Sequence, residues 1–258
     1  MSTATTAPVG RMAALARAEL TLLGRSRGTL FAALFVPLIL PFSAREAAKQ
    51  MDLAEVGLTL GTVLLPASIG FSLLYAVYVT LVSVYTARRE ELVLKRLRTG
   101  ELRDNEILAG AALPAVATGL AQCVVLTAGC AVLLDVGTPR APHLAVLGLL
   151  LGFVLCASLA AVTASFTRSV ESAQVTTLPV VFLSMIFSGM FVPLEILPDR
   201  VASVCELLPL TPVITLVRGG WTGELSASEV LGAVAVALAW TGVGVFAVRR
   251  WFRWEPRR

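Results

Sequence analysis

The amino-acid sequence predicts an all-α membrane protein with six transmembrane helices, an N-terminal amphipathic interfacial helix and short re-entrant helices before the last span. Three observations carry that fold class. Of 258 residues, 57% are hydrophobic and only 15% charged, whereas soluble domains carry about 25% charged residues. Apolar runs recur at lengths near the roughly 20 residues that a helix needs to cross a bilayer, and the chain has room for six of them with loops. The basic residues flank those runs as membrane topology requires. This flanking, rather than nucleic acid, accounts for the net charge of +4.

Taken in order, the opening stretch MSTATTAPVG is small and polar and predicts a tail without fixed structure. Residues 11–28, RMAALARAELTLLGRSRG, place Met12, Leu15, Ala16, Leu20 and Leu23 at helical spacing. Arg11, Arg17, Arg25 and Arg27 stand where they can reach lipid headgroups, so this is the amphipathic interfacial helix. A signal-peptide reading fits less well, because PFSAREA offers no convincing small-x-small cleavage site. Residues 1–28 thus form one cytoplasmic unit, and residues 29–258 form the membrane domain.

The expected spans are 29–43, 57–86, 107–134, 144–166, 173–192 and 227–248. The first is short and holds Pro37 and Pro41. The second is too long, since about 30 residues make about 45 Å of helix against a hydrocarbon core near 30 Å. It either starts near Pro66 or projects beyond the bilayer. Pro66, Pro114 and Pro179 predict local bends.

Orientation follows from the basic residues. Sixteen of the 21 Lys and Arg fall in 1–28, 87–106, 167–172 and 249–258, and five in the alternate connections. The positive-inside rule then makes the first set cytoplasmic, with both termini inside. Arg outnumbers Lys 19 to 2, a bias associated with high-GC bacteria, so the expected location is a bacterial cell membrane, crossed several times.

Between spans two and three lies a polar island. From Arg88 to Glu106, 11 of 19 residues are charged. Six Lys or Arg at the bilayer centre would cost about 15–20 kcal/mol, so residues 87–106 read as a cytoplasmic loop. Leu92, Val93, Leu94, Leu97 and Leu102 are interspersed with the charges, and Glu91 with Lys95 makes a favourable i,i+4 pair. These predict a short amphipathic helix, a turn at Thr99-Gly100, and Asp104 as N-cap of the third span. The leucines either rest on headgroups or dock a partner.

Residues 193–226 differ again. Pro193, Pro198, Pro209 and Pro212 are too closely spaced for one spanning helix. Short helices dipping into the outer leaflet satisfy both the prolines and the apolar composition. Asp199 would cap a helix over 200–208, with Val201, Val204, Leu207 and Leu208 on one side.

Catalytic chemistry is not legible. The two lysines, Lys49 and Lys95, stand in no Walker A loop, and the single His143 reads as an interfacial residue. Cys123, Cys130 and Cys156 lie in apolar runs as small hydrophobes, Cys205 sits in a loop, and no metal-ligand spacing appears. The expectation is a non-enzyme with no cofactor in this chain. Without an intramembrane carboxylate, an ion-coupled carrier is disfavoured.

Ser68, Ser72, Tyr75, Ser83 and Thr86 share an arc of about 80° at 100° per residue, with Tyr78 and Tyr85 beside it. Such a stripe either lines a passage or glues helices together. On the passage reading the candidate substrate path is Ser72, Tyr75, Tyr78, Ser83, Phe187 and Met190. Gly57-x-x-x-Gly61 and Gly148-x-x-x-Gly152 suit close helix approach.

Two stretches now bear comparison with known proteins. RREELVLKRLRTGELRDNEILAG resembles the loop that leads into the third span of type-2 ATP-binding-cassette (ABC) transporter permeases. FSGMFVPLEILPDRVASVCELLPLTPVITLVRG is similar to that family's outer signature, in which Ser-Gly is followed by spaced prolines and Arg-Gly. One departure is Gly100, where the family commonly has proline. The likeness is greatest to the drug- and antibiotic-export branch.

This resemblance implies a permease that pairs with a second copy or a paralogue and binds cytoplasmic ABC ATPase subunits, which would hold ATP and Mg. The island becomes a coupling helix, with Glu90, Glu91, Leu94, Leu97, Arg98 and Thr99 touching the ATPase. The 1–28 unit becomes the connecting helix packed nearby. The implied cargo is a hydrophobic or amphiphilic small molecule (a drug, antibiotic or lipid) moved outward. The alternatives are a polysaccharide or lipid-linked glycan exporter, and an ion-coupled carrier. Aromatic residues make up only 7% of the chain and are scattered, which favours the amphiphile over a glycan.

Overall fold

The computed structural model describes residues 59–99, 103–134, 136–252 and 254–255. The interfacial helix 11–28, the span 29–43, Gly57 and the turn at Gly100 lie outside the described residues. The described chain is all-helical, without a strand. Its helices are α1 (Leu60–Glu90), α2 (Val93–Arg98), α3 (Asp104–Leu133), α4 (Pro142–Phe166), α5 (Val170–Phe187), α6 (Asp199–Glu206), α7 (Thr211–Thr222) and α8 (Ala227–Trp251). Of these, α1, α3, α4, α5 and α8 are long and apolar enough to cross a membrane. They match the last five expected spans to within about a turn and a half of helix.

Helix α1 begins at a capping box. Thr62 N donates to Thr59 Oγ1 at 3.2 Å and Thr59 N donates to Thr62 Oγ1 at 2.9 Å, satisfying donors that no earlier turn can reach. The helix then runs through Pro66 to Glu90 without ending, so its 31 residues project beyond a bilayer core instead of starting late. It is the central helix, packed by α3, α4, α5 and α7. Residues Leu73–Val79 within it are π-helical.

The start of α3 corrects one expectation. Arg103, not Asp104, is the extended residue before the helix. Glu106 reaches back so that Arg103 N donates to its Oε2 at 2.9 Å. Asp104, in the first turn, is left to accept from Arg98 Nε at 3.1 Å.

Helix α4 opens with Pro142 in its first turn, where a missing N–H costs nothing. It is the platform against which α7 and α8 lie. Gly152 makes that possible: a Cβ there would stand 2.7 Å from Leu73 Cδ1 and 2.9 Å from Val213 Cγ1. The Gly148-x-x-x-Gly152 expectation is therefore met, with α7 as the helix that closes in. At Gly61 the neighbour is Val136, in the connection after α3, not a helix.

The segment before α8 folds as two helices bent by 102°. Asp199 is the first residue of α6 rather than its cap, and Pro198 precedes it. Cys205 is consequently helical and buried, while Val201, Val204 and Leu207 are exposed. Helix α7 starts beside Gly152 and ends beside Ala145 and Arg140. Ala141 N donates to Gly220 O at 2.9 Å. Because Gly152 is about 15 Å into α4 at the helical rise, α7 starts at mid-depth and returns to the face from which the segment entered. The pair is re-entrant. Its apex carbonyl at Leu207 accepts from Trp240 Nε1 at 2.8 Å, as backbone at membrane depth requires.

Candidate functional site

The chemistry-bearing residues collect at the end of the bundle where α1 stops. Arg89 was expected in a solvated loop, but it is still helical and 1% exposed. Its guanidinium donates to the carbonyl of Ala164 at 2.7 Å and to that of Thr167. Those carbonyls end α4, where no later turn supplies donors and the helix dipole favours a cation. Burial is tolerated because the charge caps a helix at the end of the bundle instead of crossing its centre.

Three residues on, the chain turns. Leu92 has φ 60°, a left-handed conformation that costs a branched side chain about 1–2 kcal/mol. The left-handed turn points Leu92 outward and Leu94 inward, fully buried. A side chain buried to that extent typically loses 2–5 kcal/mol on truncation to Ala, so Leu94 outweighs the strain.

The six-residue α2 is shorter than helices that persist alone, which need about 12–15 residues. Its neighbours hold it. Arg98 pairs with Asp104, Lys95 Nζ lies 2.8 Å from Glu255 Oε1, and the Arg98 guanidinium stands 4.9 Å over the Trp254 ring. Behind Trp254, Phe252 meets it edge-on at 5.0 Å and meets Tyr85 at 6.5 Å.

These placements sort the expected ATPase contacts. Glu90 and Glu91 are exposed, Leu97 is half-buried, and Thr99 is exposed with its hydroxyl donating to Arg96 O at 2.8 Å. Arg98 is exposed but engaged by Asp104 and Trp254. Leu94 is fully buried, packed inside this chain. Leu92, Lys95 and Arg96 are exposed residues outside the expected contact set. Arg96 makes no ion pair among the described residues. The left-handed turn that exposes Leu92 has no sequence signal, since the position is not glycine.

The expected substrate path is divided. Ser72 is buried and donates to Gln122 Oε1 at 2.7 Å, and Tyr78 is buried with its hydroxyl 3.0 Å from that of Thr163. Met190 is buried against the position of Gly70. Ser83 is half-buried and donates to Val79 O at 3.3 Å. Only Tyr75 and Phe187 are exposed, at 38% and 39%. The π-helical turns explain the division. Their wider i→i+5 repeat breaks the 100° spacing on which the single arc was drawn, so Tyr75 turns out while Tyr78 turns in.

The ABC-2 type transporter family model matches residues 11–221. The chain belongs to the ABC-2 type transporter family. It is thus the membrane component of an ABC transporter, a permease of a family that works with an ABC ATPase subunit. No curated protein matches the chain. In this ABC-2 permease the two ends of the outer signature touch. Arg218, 8% exposed, donates from Nη2 to Gly189 O at 2.7 Å, and Gly189 holds φ +72°. The re-entrant helix is tied to the end of α5 by that contact.

Proposed function

We propose that this ABC-2 permease is the transmembrane half of an ATP-driven exporter for a hydrophobic or amphiphilic small molecule such as a drug, an antibiotic or a lipid. It sits in a bacterial inner membrane with both termini in the cytoplasm, surrounded by membrane lipids, and pairs with a second copy or a paralogue. ATP and Mg are bound by its ATPase partners. The observation that supports this best is the make-up of the α2 face. Glu90, Glu91, Leu92, Arg96 and Thr99 are exposed around a helix held by buried Leu94, which gives an apolar contact inside a charged rim.

Closure of two ATPases around ATP would push on α2. Because α2 follows α1 after two residues and is separated from α3 by five, the push would reach both spans. Tyr75 and Phe187, exposed at mid-helix and at the end of α5, are the path residues that remain accessible to a cargo. An amphiphile could meet these rings without a charged partner.

The test uses the permease in lipid nanodiscs with its ABC ATPase partner. Leu92→Asp and Arg96→Glu should abolish complex formation and lower ATP turnover, with the permease still folded. Intact binding in both variants would end the docking assignment. Cargo class is read separately, from ATP turnover on adding amphiphilic dyes or lipid-linked oligosaccharide. Stimulation by the second alone would favour the glycan alternative.

A further inference from the structure

We propose that Phe252, Trp254 and Glu255, beyond the end of α8, form a brace that sets the position of α2, so that the end of α8 takes part in coupling. This rests on the docking reading above, but its first measurement does not need an ATPase.

The segment leaves α8 as extended backbone at Phe252, whose N–H still donates to Val248 O at 2.9 Å. Phe252 and Trp254 are half-buried against the core, whereas Trp251 just before them is 55% exposed. The two aromatics that turn inward are those that touch the α1–α2 end: Phe252 edge-on to Tyr85, and Trp254 under Arg98. Glu255 then reaches Lys95 at 2.8 Å.

Two of the three cations of α2 are held in this way, and the third, Arg96, points to solvent. The same tail therefore both fixes the helix and determines which of its faces is open. The Lys95–Glu255 pair is exposed and Arg98 meets Trp254 from the exposed side, and such contacts are weak singly. The packed rings give the segment its hold, and the charges set its register. α8 touches the re-entrant apex through Trp240, halfway along its length, and the α2 end through this tail, so one helix joins the middle of the bundle to its α2 end.

The experiment follows hydrogen exchange of the permease alone in nanodiscs, comparing wild type with Trp254→Ala, Glu255→Gln and the exposed control Trp251→Ala. Amides of 93–99 should exchange about tenfold faster in Trp254→Ala, faster to a smaller degree in Glu255→Gln, and unchanged in Trp251→Ala. Unchanged exchange in both tail variants would overturn the brace. Because Glu255→Gln is a mild surface change, a misfolded Trp254→Ala does not decide the matter.

With the ATPase added, the brace predicts unimpaired assembly but weaker stimulation of ATP turnover in Trp254→Ala. Tighter ATPase binding on loss of Trp254 would show a mask, not a brace, and would sink the proposal. If Leu92→Asp fails to disturb ATPase binding, the docking reading falls while the exchange result still stands on its own.

Discussion

Leu92 and Leu94 stand two residues apart and face opposite ways, the first 38% exposed and the second fully buried. The left-handed backbone at Leu92 separates them. Substitutions at the two positions should therefore act on different properties. Leu92→Gly removes the left-handed strain and should raise stability by about 1 kcal/mol, while weakening ATPase binding through loss of the apolar contact. Leu94→Ala should lower stability by about 2–5 kcal/mol. Thermal unfolding in detergent, set beside ATPase pull-down, reads both signs.

The Arg218 to Gly189 hydrogen bond spans 29 residues of sequence and joins the re-entrant helix to the end of α5. Removing the donor leaves a buried carbonyl short of a partner, a loss of about 1–3 kcal/mol. Arg218→Ala should therefore destabilise and speed proteolysis between α5 and α6. Arg218→Lys should recover part of the loss, since a lysine reaches the carbonyl without the planar fork. Equal cleavage rates in wild type and Arg218→Ala would show that the contact does not hold the loop.

Helix contact on α4 gives a steric prediction. Leucine at Gly152 has no room between Leu73 and Val213, so Gly152→Leu should cost about 1–3 kcal/mol by overpacking. Gly232 on α8 has nothing within 4 Å of an added Cβ. Gly232→Ala should be neutral or gain up to about 1 kcal/mol from helix propensity. Melting temperatures of the two variants should move in opposite directions or, at the least, by clearly different amounts.

The two tyrosines in the π-helical segment separate packing from passage. Tyr78→Phe removes the hydroxyl contact with Thr163 and should cost about 1 kcal/mol, with transport per folded molecule unchanged. Tyr75→Ala gives up the stacking on Phe71 at 4.3 Å and should lower the melting temperature modestly, but it should change cargo-stimulated ATP turnover per folded molecule. Reversal of that pattern would place the path on the other face of α1.

Much of the outcome was legible in one dimension, because the signals involved are local or compositional. Apolar runs of spanning length located five of the helices, and the spacing of Pro193, Pro198, Pro209 and Pro212 marked the broken segment before α8. The Ser-Gly and Arg-Gly stretches pointed to the family that the match over residues 11–221 establishes. Gly148 and Gly152 announced a close approach without naming the helix that makes it.

What the chain could not announce was the direction each side chain finally takes. A hydroxyl arc drawn at 100° per residue assumes an unbroken α-helix, and the π-helical turns at Leu73–Val79 rotate Tyr75 away from Tyr78. The sequence reading singled out Leu94 and Leu97 among the island's leucines, and a single left-handed residue sends Leu94 inside and Leu92 out. Arg89 counted as a loop charge until α4 ended beside it and supplied two carbonyls. Hydropathy and spacing set which segments leave water, because transfer energies act residue by residue. Which face of each segment is covered depends on neighbours distant in sequence, and only the packed structure decides that.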